Sequence, residues 1–142
     1  MNLLGHTPVI AFSFIALSAM SAVGCSSSET SAADEIVGPP TSESYIVNYT
    51  TEPSPAQVGE NLLMLVITDK NEEPVLGATV EAEAWMSAHG HGTESPPTVM
   101  EMENGHYHVE DLVFQMPGEW TMDVTITMDG ETESVSFELD VE

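Results

Sequence analysis

Apolar and polar positions alternate along much of the second half of the chain. Ala78, Val80, Ala82, Ala84 and Met86 fall on one side of a period-two pattern, with Thr79, Glu81, Glu83 and Trp85 on the other. Trp120, Met122, Val124, Ile126 and Met128 repeat the pattern against Thr121, Asp123, Thr125, Thr127 and Asp129. Val135, Phe137, Leu139 and Val141 do so against Ser134, Ser136, Glu138 and Asp140. Such a period predicts strands with one buried face. Residues 45–50 are β-branched and aromatic and stop before Pro53-Ser54-Pro55, which suits another strand. Residues 62–68 are continuously apolar up to Thr68, which predicts a central strand covered on both faces. Segments 99–103 and 106–110 flank Asn104-Gly105, and Asp129-Gly130 separates two further segments; both dipeptides favour tight hairpins. Met100 and Met102 alternate with Glu101 and Glu103, so they are expected on a buried face. The total is about seven strands with no helical pattern, which predicts an all-β, single immunoglobulin-like β-sandwich. A small barrel is the alternative.

The N-terminal part follows different rules. Residues 9–23 contain no charged side chain. A run of about 15 is short for a membrane-spanning helix, which takes about 20, and suits the apolar core of a secretion signal. It ends in Ser21-Ala22-Val23-Gly24-Cys25, which resembles the bacterial lipobox. That resemblance implies lipidation of Cys25 and a mature protein held to the membrane through its N-terminal lipid. Ala22 stands where Leu is usual, and residues 1–8 carry no Lys or Arg, only the α-amino group and His6. Residues 26–43 are rich in Ser, Pro and acid, a composition that buries too little surface to offset ordering. The expected division is a signal peptide over 1–24, a lipidated Cys25 with an acidic tether to 43, and a folded domain over 44–142. The protein is then exported and anchored at the cell envelope, facing the periplasm or the exterior.

Charge and cysteine content narrow the function. Lys70 is the single cationic residue against 24 Asp and Glu, for a formal net charge of −23. All 24 acids follow Cys25. Such a surface repels phosphate backbones, so nucleic acid is excluded as a partner, while cations are concentrated around it. Cys25 is the only cysteine, so the domain has no internal disulfide, thiolate zinc cluster or cysteine nucleophile. No glycine-framed serine, phosphate-cradling loop or His-Glu-x-x-His helix is present, so no enzymatic activity is expected. A zinc site of His89, His91 and Glu94 is conceivable, but no pattern marks an open catalytic position.

The chemistry that remains lies in Trp85-Met86-Ser87-Ala88-His89-Gly90-His91-Gly92. A thioether and two imidazoles within six residues favour copper, Cu(I) above Cu(II), over hard ions. Met116, in Phe114-Gln115-Met116-Pro117-Gly118-Glu119-Trp120, completes the set if the two loops lie at one end of the sandwich. The plainer alternative for Met86 is core packing, since it shares a face with Val80 and Ala84. Met116 before Pro-Gly can likewise be simple turn packing. His106 and His108 share one face of a hairpin strand and read as solvated surface, with a secondary metal contact as the minor alternative.

The two loop segments, with Gly105-His106-Tyr107 between them, resemble the YtkA-like family of exported bacterial domains. The family's pattern runs approximately Met-Pro-x-His-x-His-Gly, then Gly-x-Tyr, then Phe-x-Met-x-Gly-x-Trp. The likeness extends from about Val58 to Val124, and Ser87 replaces the frequent Pro after Met. The resemblance implies an immunoglobulin-like fold and, for some members, copper handling outside the cytoplasm, with Met86, His89, His91 and Met116 as the matching ligands. The function it implies is a copper carrier or chaperone that exchanges the ion with a copper-donating or copper-accepting protein. The competing reading is a non-metal binding or structural module at the cell surface.

Overall fold

A computed structural model describes residues 38–142. The expected signal peptide, Cys25 and most of the tether lie outside the described residues. Among those described there are eight strands and no helix: β1 (Tyr45–Glu52), β2 (Gly59–Asp69), β3 (Thr79–Met86), β4 (His91–Gly92), β5 (Thr98–Glu101), β6 (His106–Phe114), β7 (Gly118–Met128) and β8 (Glu131–Val141). They form two four-stranded sheets, ordered β1-β2-β6-β5 and β4-β3-β7-β8, and every strand pairing is antiparallel. The result is a β-sandwich, as the alternation predicts. The chain lays down two strands in one sheet and then two in the other. The central contacts, β2 with β6 and β3 with β7, therefore join strands distant in sequence.

Alternation sorts the side chains as expected in β3, β7 and β8. Ala82, Ala84, Met122, Val124, Ile126, Val135 and Val141 are buried, while their polar neighbours face out. Trp120, Tyr107 and Phe114 are the largest fully buried side chains and supply much of the apolar area that holds the layers together. The Tyr107 hydroxyl donates to the Val75 carbonyl at 3.0 Å, tying the first sheet to the β2–β3 connection. Both hairpin dipeptides adopt the left-handed backbone that a two-residue turn needs, with Asn104 at φ 58° and Gly105 at 73°, and Asp129 at 54° and Gly130 at 86°.

Two expectations are corrected, and the strand count is refined. The apolar run in β2 is central in its sheet but fully covered on one face only. Leu63, Leu65 and Ile67 are wholly buried, while Leu62, Met64 and Val66 are half-buried, because among the described residues no third layer lies outside this sheet. Met100 and Met102 are not on a buried face: they are 47% and 44% exposed. Val99 of β5 packs against the core, which sends Met100, and Met102 just past the strand's end, to the opposite side of the pleat. The seven expected strands are joined by an eighth, β4, whose two residues pair with Trp85 and Met86. That is too short to leave a periodic trace.

Regular contacts begin upstream of Ser44. Val47 donates its amide to the Pro40 carbonyl, and Thr41 bridges to Ile46. The Ser44 amide donates to Glu133 Oε2 at 2.9 Å. Hydrogen bonds from Ser42 and Ser44 hold the Glu133 carboxyl down at about 2, from an ordinary 4.5. A lowered carboxylate pKa marks a contact that is complete above the ordinary value and is lost as pH falls toward the lowered one. Between pH 4.5 and 2 the Ser44 amide is therefore expected to lose hydrogen-exchange protection in step with the Glu133 carboxyl NMR titration. In Glu133→Gln the loss should already be present at neutral pH. An unprotected Ser44 amide at pH 7 in the unmodified protein would show that the clasp does not form.

Candidate functional site

The candidate residues sit on two turns that share one end of the second sheet. β3 stops at Met86, and a tight turn follows in which the His89 and Gly90 amides both donate to the Met86 carbonyl, at 3.2 and 2.9 Å. Gly90 takes φ +70°, a conformation that side chains resist. The chain then returns as β4, with His91 directly opposite Met86. Paired residues of an antiparallel ladder share a face, with Cβ atoms about 4.5–5.5 Å apart, so His91 lies beside Met86 on the inner side. Gly92 follows because a Cβ there would lie 2.8 Å from the Ala84 carbonyl oxygen.

The second turn connects β6 to β7. Because Trp85 pairs with Thr121, the end of β3 and the start of β7 meet, and the two turns become neighbours. The methyl of Met86 lies 2.8 Å from where a Cβ on Gly118 would be. Trp120 joins the turns from below. Its indole N–H donates to the Met116 carbonyl at 3.1 Å, and the His91 ring stands edge-on to it, with centroids 5.6 Å apart. Phe114 packs on the indole at 5.0 Å.

His89, His91, Met86 and the Met116 turn are thus brought to one end of the sandwich, in unequal environments. His89 is exposed, and His91 and Met116 are half-buried. Met86 is 2% exposed and belongs to the core cluster. The centroids of His89 and His91 are 6.1 Å apart. Two imidazoles bound to one ion place each ring centre about 3.2 Å from it, from a metal–nitrogen bond of about 2.0–2.1 Å plus the ring radius, so this spacing lies within the reach of a shared ion. His91 Nδ1 is 3.0 Å from the Gly92 carbonyl oxygen. A carbonyl only accepts, so Nδ1 carries a hydrogen, and in the neutral ring the lone pair is on Nε2, the usual arrangement behind a ligating imidazole. Among the described residues no three His, Cys, Asp or Glu side chains gather as a metal group. Beyond the two imidazoles, the soft side-chain donors these turns offer are the thioethers of Met116 and Met86.

Sequence reading missed Gln115. Both polar atoms of its amide are buried without a protein partner, immediately before Met116. The only trace in sequence is a polar residue between Phe114 and Met116 in an otherwise apolar turn. His106 and His108 do not join this group. They lie on the outer face of the other sheet, with about 20 Å of strand between His108 and the β6–β7 turn. A surface depression lined by Pro39, Pro40, Tyr49 and Phe137 among others contains none of the His or Met candidates.

The family model described as YtkA-like matches residues 41–125. No curated protein matches the chain. Among solved structures, a DUF4426 family protein from Pseudomonas aeruginosa PAO1 is similar at 13% identity and TM-score 0.51, covering 70% of this chain and 92% of that one. A copper-bound variant of FetP from uropathogenic Escherichia coli strain F11 is similar at 11% identity and TM-score 0.48, covering 72% and 94%. FetP of the same strain, as isolated after expression in the Escherichia coli periplasm, gives 14% and 0.47, covering 72% and 92%. These likenesses concern the fold.

Proposed function

This chain belongs to the YtkA-like family, and from that premise we propose that it binds copper as a cargo ion at the paired turns and passes it on outside the cytoplasm. The observation that carries the reading is the pair of imidazoles 6.1 Å apart, one with its lone pair on Nε2 when neutral, beside a turn that carries a thioether. His89, His91 and Met116 are the accessible donors, and Met86 is the packed fourth. Two borderline nitrogens with one or two soft sulfurs favour Cu(I). Exposed His89 leaves an open side from which a partner can take the ion, which suits a carrier better than a closed structural site. No enzymatic role is assigned. Export and anchoring through Cys25 complete the proposal, supported by the apolar run and lipobox-like segment at the N-terminus.

The surface offers a competing explanation for any metal uptake, since a net charge of −23 gathers cations without ligating them. Salt separates the two. Diffuse attraction is screened over about 8 Å at physiological ionic strength, whereas direct ligation survives. Competition with a coloured Cu(I) chelator is expected to give the same loop-site affinity within about threefold at low and at physiological salt. Uptake that vanishes in moderate salt would assign binding to the acidic surface and leave the non-metal surface module as the better reading.

A further inference from the structure

The exposed methionines Met100, in β5, and Met102, just past its end, do not stand alone. Strand register places Thr50, Met64, His108 and Met100 in one row across the first sheet, running from β1 through β2 and β6 to β5. The next row holds Asn48, Val66 and His106. Met102 closes it, its amide donating to the His106 carbonyl at 2.7 Å. Residues in register share a face, and this one is the outer face, because the intervening Leu65, Tyr107 and Val109 are buried inward. His108 therefore has a thioether on each flank. His106 stands about 7 Å further along the same strand and face, opposite a third thioether. His106, His108 and Met102 line one shallow depression together with Glu101, Glu103 and Asn104.

We propose that His106, His108, Met64, Met100 and Met102 form a second soft-metal site, open to solvent on the outer face of the first sheet, that takes a monovalent coinage-metal ion such as Cu(I). It does not depend on the loop site. Met100 and Met102, 47% and 44% exposed, gain little from burial, and a solvated strand position is served better by a β-branched residue. What a thioether adds here is a soft donor that neither acid nor water removes. The platform is fixed. Asn104 and Gly105 form a closed turn, and a Cβ on Gly105 would lie 2.7 Å from the Ile67 carbonyl oxygen and 2.9 Å from Pro74 Cβ, so the hairpin is clamped against the β2–β3 connection. Of the carboxylates lining the depression, Glu101 already accepts the Gly77 amide at 2.7 Å. With Glu103, that makes two carboxylates at the depression, few for a hard divalent ion such as Ca²⁺, which takes about six to eight oxygen ligands.

The test uses Ag(I), a redox-inert ion of the same charge and softness as Cu(I), with the full chain carrying ¹³C-labelled methionine methyls in chloride-free nitrate buffer. Saturating Ag(I) is expected to shift the methyl signals of Met64, Met100 and Met102 and the ring signals of His106 and His108. Met100→Leu with Met102→Leu is expected to weaken that binding at least tenfold while the Met116 methyl still responds. If the three outer-face methyls stay in place while Met116 moves, this site is refuted and the loop reading stands. If they move and Met116 does not, the loop reading fails and this site stands. Silence at both ends refutes both. The unmodified protein gives the decisive signal, so a variant that folds poorly does not obscure it.

Discussion

Replacing His89 and His91 together by alanine is expected to weaken Cu(I) binding at the paired turns by at least about 100-fold, since loss of even a supporting residue behind a metal ligand costs 10–100-fold. The double change should leave the fold intact, because His89 is exposed and His91 sits on a two-residue edge strand. His106→Ala with His108→Ala should leave loop-site affinity unchanged. The thioethers need a gentler probe. Met→Leu removes the sulfur while roughly conserving volume, which a core tolerates at under about 1.5 kcal/mol. Met116→Leu is expected to lower affinity more than Met86→Leu, because Met86, 2% exposed with its methyl against Gly118, is already committed to packing. Acid supplies a further check. Protons compete for imidazole nitrogen but not for thioether sulfur, so, on a His106→Ala, His108→Ala background that silences the outer-face imidazoles, affinity should fall on acidification when His89 and His91 are present and change little when both are alanine. Chelator competition across pH measures both. Equal affinity for the unmodified and double-alanine proteins would remove the loop site from the account.

Much of this arrangement was legible in the sequence. Period-two alternation named the strands and sorted β3, β7 and β8 correctly, because each carries several large apolar residues on one side and polar ones on the other. The two hairpins were legible because Asn-Gly and Asp-Gly favour the positive φ that the turns adopt. Alternation says which residues share a face, however, and not which face turns inward. Where both sets are apolar or ambiguous, the missing information is the layer packed above. That is why Leu62, Met64 and Val66 on β2, and Met100 and Met102 at the end of β5 and just past it, read as buried in the sequence and lie outside. The meeting of the 87–90 and 115–117 turns was not legible either. It follows from the pairing of β3 with β7, a long-range contact that no local pattern encodes. Trp120 is the residue through which fold and candidate site meet, and its role shows only once that pairing is known.

Trp120→Phe is accordingly expected to damage both stability and metal affinity, although Trp120 offers no donor to a metal. Its side chain is fully buried, with Phe114 on one side and His91 edge-on at another, and its N–H satisfies the Met116 carbonyl. Phenylalanine keeps an aromatic ring in the core but is smaller and cannot donate. The change therefore opens space beneath His91 and frees the Met116 turn. A lost hydrogen bond with a partner left behind costs about 1–3 kcal/mol, and the vacated volume adds to it. The urea midpoint should fall accordingly, with an unchanged slope. Because the indole positions both turns, Cu(I) affinity should fall by about tenfold, within the range seen when groups that orient metal ligands are removed. A control separates this from general loosening. Ile126→Ala, in the same strand β7 and wholly buried, is expected to cost about 2–5 kcal/mol. Ile126 pairs with Val80, about 20 Å of strand from Trp120, so the variant's copper affinity should match the unmodified protein at temperatures where both are folded. If Ile126→Ala weakens copper binding as much as Trp120→Phe, the indole has no special part in the site. If Trp120→Phe destabilises the fold and leaves affinity untouched, the turns hold their geometry without it.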